Sequence, residues 1–248
     1  APRQVAANRK ALGARAKNDR LDARLIAEFV RVSHERLHPF QPWEKEYERI
    51  RDAVRLRTRL AQDRKRVATR LLAFGTPMRE IAKILAGIKE KMAELDRLVE
   101  RLTEEYEETA ILKSVKGVGP LTAAALLAVM RQIPFQTPEA LVAYVGLDLV
   151  VQDSGTAKGK RRVSSHGDAT LRTLLYLAGK SVSHSKEWET YVKRLEERGM
   201  KPIQIHCALA RKIARIAFTL YKRKEKYDPK RIAQPKTEAS PRKLVIQA

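Results

Sequence analysis

Apolar residues along this chain recur mostly at helical spacing. Leu21, Leu25 and Phe29 repeat every four residues, with Ile26 beside them, and Asn18-Asp19 precedes them as a helix start. Pro39 and Pro42 stop that helix. A long charged helix follows from about Trp43 to Phe74. Tyr47, Ile50, Val54 and Ala61 mark one face, and Leu56, Leu60, Val67 and Leu71 a neighbouring one. Gly75-Thr76-Pro77 predicts a turn with proline near the next helix start. Beyond it, Ile81, Leu85, Ile88, Met92, Leu95, Val99 and Leu102 alternate steps of four and three, the seam of a coiled coil. The two helices predict an antiparallel hairpin over 43–109, read either as part of a bundle within one chain or as a dimerisation arm.

From 110 to 228 the pattern predicts a compact, mostly helical unit, with helices near 121–131, 137–145, 168–184, 186–198 and 203–224. The stretch 146–167 is rich in Gly, Ser, Lys and Arg. It reads as an irregular basic loop with a short strand at Leu149-Val150-Val151. Residues 229–248 hold scattered prolines and charges and read as a disordered tail. The predicted fold class is therefore mainly α: a lead-in over 1–38, the hairpin arm, the helical domain, and the tail.

Charge changes the picture more than composition does. The 248 residues are 44% hydrophobic, enough for a core, but 51 Lys and Arg face 29 Asp and Glu, a formal charge of +22. That excess points to a polyanion partner, because cations that contact phosphates gain from counterion release; it does not separate DNA from RNA. The single cysteine, Cys207, rules out an internal disulfide and falls in an apolar helical run. No apolar stretch reaches the length of a membrane span, and no leader is evident, so a cytoplasmic protein without membrane contact is expected.

Four constellations carry candidate chemistry. In Lys116-Gly117-Val118-Gly119-Pro120, ahead of Leu121-Thr122-Ala123-Ala124-Ala125, Gly117 and Gly119 flank a small apolar residue in a tight turn. This is the pattern of a helix-hairpin-helix. Its glycines let backbone approach a phosphate, and the amides opening the second helix favour an anion; the plainer reading is a packing joint. In Asp153-Ser154-Gly155, a serine is followed by Lys158, Lys160, Arg161 and Arg162. A hydroxyl beside such cations suits attack on a phosphodiester, the charges offsetting the transition state; Ser-Gly is equally ordinary turn chemistry. The spacing from Gly155 does not fit a P-loop. In Ser164-Ser165-His166-Gly167-Asp168, Asp168 reads as a helix N-cap, Arg172 lies one turn on, and His166 reads as a proton-transfer group or a plain turn histidine. Asp19 and Asp22 share one face of a first helical turn, where they suit Mg²⁺ coordination or merely the helix dipole. His34-Glu35-Arg36-Leu37-His38 matches a metalloprotease helix signature, but Pro39 ends the helix at its second ligand, so the match reads as chance.

Taken in order, these segments resemble the DEDD-type bacterial insertion-sequence transposases, relatives of the Piv invertase. Lys17-Asn18-Asp19-Arg20-Leu21-Asp22-Ala23 resembles the family's Lys-Thr-Asp-x-x-Asp-Ala stretch. Lys116-Gly117-Val118-Gly119 is similar to its glycine hairpin, and Tyr144-Val145-Gly146-Leu147 to its Tyr/Phe-Ala-Gly-Leu segment. Ser154-Gly155 falls at its Ser-Gly pair, and Arg162-Val163-Ser164-Ser165-His166-Gly167-Asp168 loosely follows its last motif. The sequence departs where the family has a proline, around Asp148-Leu149, and where Ser165 replaces a lysine. The resemblance implies that residues 1–38 are the C-terminal remnant of a RuvC-like α/β domain truncated at its N-terminus, with two further acidic ligands missing. It further implies Asp19 and Asp22 as Mg²⁺ ligands, Ser154 as nucleophile, and Gly117, Gly119, Lys158, Lys160, Arg161, Arg162 and Arg172 as DNA contacts. The implied partners are DNA, a guide non-coding RNA and further copies of the chain through the arm. The activity would be cutting and rejoining DNA. The alternatives are a non-enzymatic nucleic-acid-binding protein and an inactive transposase fragment.

Overall fold

The computed structural model of the chain describes residues 7, 9, 19–36, 41–150 and 162–229. They fall into two compact units, divided between Pro42 and Trp43. In the first unit, α1 runs Asp19–Ser33 and ends in a 3₁₀ turn over His34–Arg36. Asp19 and Asp22 lie in the first turn of α1 and Arg31 in the last, matching the signs that the helix dipole favours.

In the second unit, α2 (Lys45–Ala73) and α3 (Met78–Thr103) are long helices joined by the turn at Gly75. Arg57 and Asp96 join them through two hydrogen bonds of 2.9 and 3.0 Å, which fixes their antiparallel alignment. Six further helices follow among the described residues: α4 (Glu107–Ser114), α5 (Pro120–Gln132), α6 (Pro138–Val145), α7 (Ala169–Val182) and, after a 3₁₀ turn at Lys186–Trp188, α8 (Glu189–Glu197) and α9 (Pro202–Arg223). Between α6 and α7, β1 (Leu149–Val150) pairs antiparallel with β2 (Arg162–Val163), placing Leu149 opposite Val163.

The helix spans follow the periodicity, and the mainly helical class stands. The stretch read as irregular over 146–167 contains a second strand, β2, and the single helix read over 186–198 is divided between a 3₁₀ turn and α8. The periodic run read as hairpin up to 109 breaks after Thr103, and Glu107 starts α4.

Helix α5 is the centre of the core. Every residue from Thr122 to Met130 is buried, the signature of a helix apolar all round. It packs against α2, α3, α4 and α7, while α9 covers α6 and α7. The base of the long hairpin belongs to this core: Tyr47, Ile50, Ala53, Val54 and Val99 cluster with the α5 residues. Further along the hairpin burial fades. Leu60, Val67, Leu71, Leu85, Ile88, Met92 and Leu95 are only half-buried, and Ile81 alone is closed off. Two helices cannot cover both sides of an apolar stripe.

Candidate nucleic-acid interface

Two turns in the second unit hold most of the sequence candidates the structure describes. The first joins α4 to α5. Gly117 adopts a φ of +88°, where an L side chain is strained, and a Cβ there would lie 2.6 Å from Val182 Cγ1 and 2.9 Å from the Ala178 carbonyl oxygen on α7. Gly117 is therefore needed for packing. Gly119 differs. Its φ of −83° suits any residue and a Cβ would meet open space. It stands at the N-cap of α5 with no side-chain cap, followed by Pro120 at the first helical position. The start of α5 thus presents uncapped amides beside an accessible glycine. Lys113 and Pro120 line a hollow of about 640 Å³ there, with Arg97, Arg101, Glu100 and Glu104. The two helices are clamped by Arg131, which donates to Glu108 at 2.6 Å. Burial pushes the Glu108 carboxyl up, but its backbone hydrogen bond and the Arg131 guanidinium outweigh that and hold it below the usual carboxylate range.

The second turn is the neck through which the chain leaves α6 and returns into α7. Gly146 closes α6 in the left-handed conformation. Its carbonyl accepts the Ser165 amide at 3.2 Å, and the Tyr144 carbonyl accepts the Asp168 amide at 3.0 Å. Gly167, at φ +146°, lets this happen: a Cβ there would overlap the Tyr144 carbonyl oxygen. Above these contacts the Ser164 amide donates to the Asp148 carbonyl at 2.9 Å, and the Ser164 hydroxyl donates to the Asp148 carboxylate. Asp168 accepts the Leu171 amide at 2.9 Å as the N-cap of α7 and takes a second bond of 3.1 Å from Arg55 on α2. Its side chain is only 6% exposed, so the pair is shielded on the acid's side. Tyr144 packs edge-on against Phe135 at 5.4 Å. Burial, then the charge of Asp168, push its phenol above the usual tyrosine range, so it stays a neutral wall of the neck.

Among the predicted DNA contacts, Arg162 is exposed on β2. Arg172 turns inward and donates to the Val145 carbonyl at 2.9 Å. Ser154, Lys158, Lys160 and Arg161 lie outside the described residues. So does His38 of the metalloprotease-like pattern, whose His34 donates from Nδ1 to the Arg31 carbonyl at 3.1 Å. Two residues that the pattern did not single out, Arg55 and Asp148, complete the neck. Asp148 lies in the stretch where the sequence departs from the resembled family, and its bonds to Ser164 supply the closure. No local signal marks Arg55, whose partner lies 113 residues away.

In the first unit Asp19 is exposed and Asp22 half-exposed, with Arg9 3.5 Å from the Asp22 carboxylate. No group of three or more His, Cys, Asp or Glu suited to a metal occurs among the described residues. Two carboxylates one turn apart remain a donor set that Mg²⁺ accepts when water or phosphate supplies the rest. No helix among the described residues is long and apolar enough to cross a membrane.

A helical protein with a cationic segment on a clamped neck is the class these features define. A family model described as "Transposase IS116/IS110/IS902 family" matches residues 109–193, spanning both turns, and a second model, described as "Transposase", matches residues 1–74. The chain is thus similar over most of its length to insertion-sequence transposases of the IS110/IS116 family. It is 26% identical over 238 residues to the pilin gene-inverting protein of Moraxella lacunata, covering 92% of this chain and 73% of that protein. A probable family 20 transposase of Pseudomonas aeruginosa is 27% identical over 63% of this chain and 48% of its own length. The transposase for insertion sequence element IS1111A of Coxiella burnetii is 29% identical over 56% of this chain and 39% of its own length.

Proposed function

We propose that the chain is a DNA transposase or recombinase of an insertion sequence, with Ser154 as its nucleophile. The observation that carries the reading is the clamped neck: the residues similar to the transposase family on either side of Ser154, Tyr144-Val145-Gly146 and Gly167-Asp168, are those whose backbones lock together. A neck fixed in this way delivers the segment 151–161, with Ser154, Lys158, Lys160 and Arg161, from a rigid base. Ser154 Oγ loses its proton to solvent as it forms a bond to the scissile phosphorus. The bond from phosphorus to the sugar oxygen breaks, and that oxygen leaves as a hydroxyl after taking up a proton. The neighbouring cations hold the non-bridging oxygens and offset their charge in the transition state. Rejoining is the reverse attack by a sugar hydroxyl on the phosphoserine.

Asp19 and Asp22 would hold Mg²⁺, which when bound supplies Lewis-acid stabilisation of the phosphate. Gly119 and the uncapped start of α5 bind a backbone phosphate without reading sequence. Arg172 serves by position, tying α7 to the end of α6. The half-covered seam on the long hairpin supports assembly of further copies through that arm, and the +22 charge fits DNA and a structured guide RNA as partners.

The test is strand cleavage of the cognate element ends, with candidate guide RNA and Mg²⁺, by the parent chain and by Ser154→Ala. The parent forms a protein–DNA adduct that survives denaturation and the variant does not. Equal cutting by the variant sinks the nucleophile, and a parent chain that binds the ends without cutting them makes the protein a binder alone.

A further inference from the structure

A row of arginines leads away from the neck along the long hairpin. Arg55, Arg59, Arg66 and Arg70 lie on one side of α2, within about 60° of one another at 3.6 residues per turn. Arg55 stands at the neck, bonded to Asp168. Arg59, Arg66 and Arg70 are exposed. Neither Arg59 nor Arg70 has an acidic partner among the described residues, and Arg66 meets only the exposed Asp63, at 3.4 Å. The opposite side of α2 holds Arg57, which bonds to Asp96 on α3, so the row points away from the hairpin's own contact. The acids nearest its base, Glu48 and Asp52, are both engaged by Arg51.

A solvated helix face mixes signs, and elsewhere on this hairpin it does: Lys83 meets Glu80 and Lys91 meets Glu94. On this stripe only Arg55 and Arg66 meet an acid, so the four cations keep a net positive charge that something anionic over Arg59 and Arg70 would offset. Their guanidiniums suit phosphate oxygens, which they grip in pairs. From Arg55 to Arg70 the helix rises about 22 Å at 1.5 Å per residue. That is the length of about seven base pairs of duplex at 3.4 Å each.

We propose that this arginine stripe on α2 is a phosphodiester track, which carries a nucleic-acid duplex from the neck outward along the hairpin. The proposal deepens the function proposed above and rests on it for the place of the neck. It adds a surface that the glycine turn and the basic segment do not include. The hairpin arm thus has two sides with separate work: an apolar seam and a cationic edge that orients the duplex relative to Ser154.

The test compares two triple variants of the full chain with equal loss of charge. Arg59→Gln, Arg66→Gln and Arg70→Gln empties the stripe while keeping good helix formers. Arg79→Gln, Lys83→Gln and Lys89→Gln removes three exposed cations of α3. Affinity for duplex DNA and for duplex RNA is measured across a salt series, with a backbone footprint on whichever duplex binds. The stripe variant should lower the salt slope by roughly 2–3, near 0.9 per lost phosphate contact, and lose about five base pairs of protection, the reach from Arg59 to Arg70 at about 1.5 Å per residue, while the α3 variant keeps both. A change on DNA alone assigns the track to element DNA, and a change on RNA alone assigns it to a structured RNA. Equal slopes and footprints for the two variants overturn the stripe. Loss of protection in a chain that never forms the Ser154 adduct would leave the stripe standing and remove the enzyme.

Discussion

The two glycine-built turns of the second unit look alike in sequence and differ in what their glycines do. At the neck, Gly167 sits where two backbones touch and nothing larger than hydrogen fits. At the α4–α5 turn the work is divided: Gly117 is held against α7 and Gly119 looks onto open space. A glycine without neighbours at an ordinary φ has no packing reason to be there; Gly119 suits the N-cap of α5 and leaves room for the phosphate proposed above. The neck is therefore a device of the fold, and the hairpin turn is half fold and half surface.

Substitutions break that contrast in order of size. Gly167→Ala should cost the most, on the order of 3 kcal/mol, because it adds strain at a positive φ and an overlap with the Tyr144 carbonyl. Urea unfolding at unchanged m reads it as a lower midpoint. Asp168→Ala should follow at about 2 kcal/mol, since it removes the α7 cap and leaves Arg55 without its acid. Asp168→Asn keeps a capping oxygen and should cost about half as much. If both replacements prove neutral, the neck is not clamped and the rigid-base argument for Ser154 loses its support.

How much of this could be read in advance depends on the range of each interaction. The apolar steps from Ile81 to Leu102 fixed the length of α3, and Asp168 before an apolar run fixed the start of α7, because both are local. The sequence showed that Tyr47, Ile50 and Val54 form one face, but not that this face inserts beside α5 and ties the hairpin base into the core. A period names a side of a helix and leaves its partner open. Strand β2 is two residues long and has no period to read. The Arg55–Asp168 pair spans 113 residues and has no local trace. Arg172, one turn into a helix after a basic stretch, has the pattern of a phosphate ligand, and one N–H of its guanidinium is engaged by the Val145 carbonyl. Ser154 itself lies outside the described residues, and its role stands on resemblance and on the neck.

At the α4–α5 turn, Gly117→Ala and Gly119→Ala separate the two uses of glycine. Gly117→Ala should destabilise by about 1–2 kcal/mol, because Val182 Cγ1 can yield but the Ala178 carbonyl cannot. Gly119→Ala should leave stability within about 0.5 kcal/mol, yet weaken duplex binding where a phosphate sits against it. A Gly119→Ala variant that binds DNA as the parent does reduces this turn to a packing joint.

Another small effect concerns the clamp across that turn. Glu108 is held below the usual carboxylate range by its backbone hydrogen bond and Arg131, against the opposing push of burial. A depressed folded value means that the contribution is fully present above the unfolded value of about 4.3 and is lost as the pH falls through the folded one. Glu108→Gln should therefore cost up to about 1 kcal/mol at neutral pH, discounted because Arg131 is 36% exposed. The difference between parent and variant should shrink as acid protonates the parent's own carboxyl. The neck offers an internal comparison, since Gly167→Ala acts through overlap and strain and carries no charge. Its cost should stay level over the same titration. Should the Glu108→Gln difference stay level too, the clamp works by shape and not by charge, and the two turns are more alike than their electrostatics suggest.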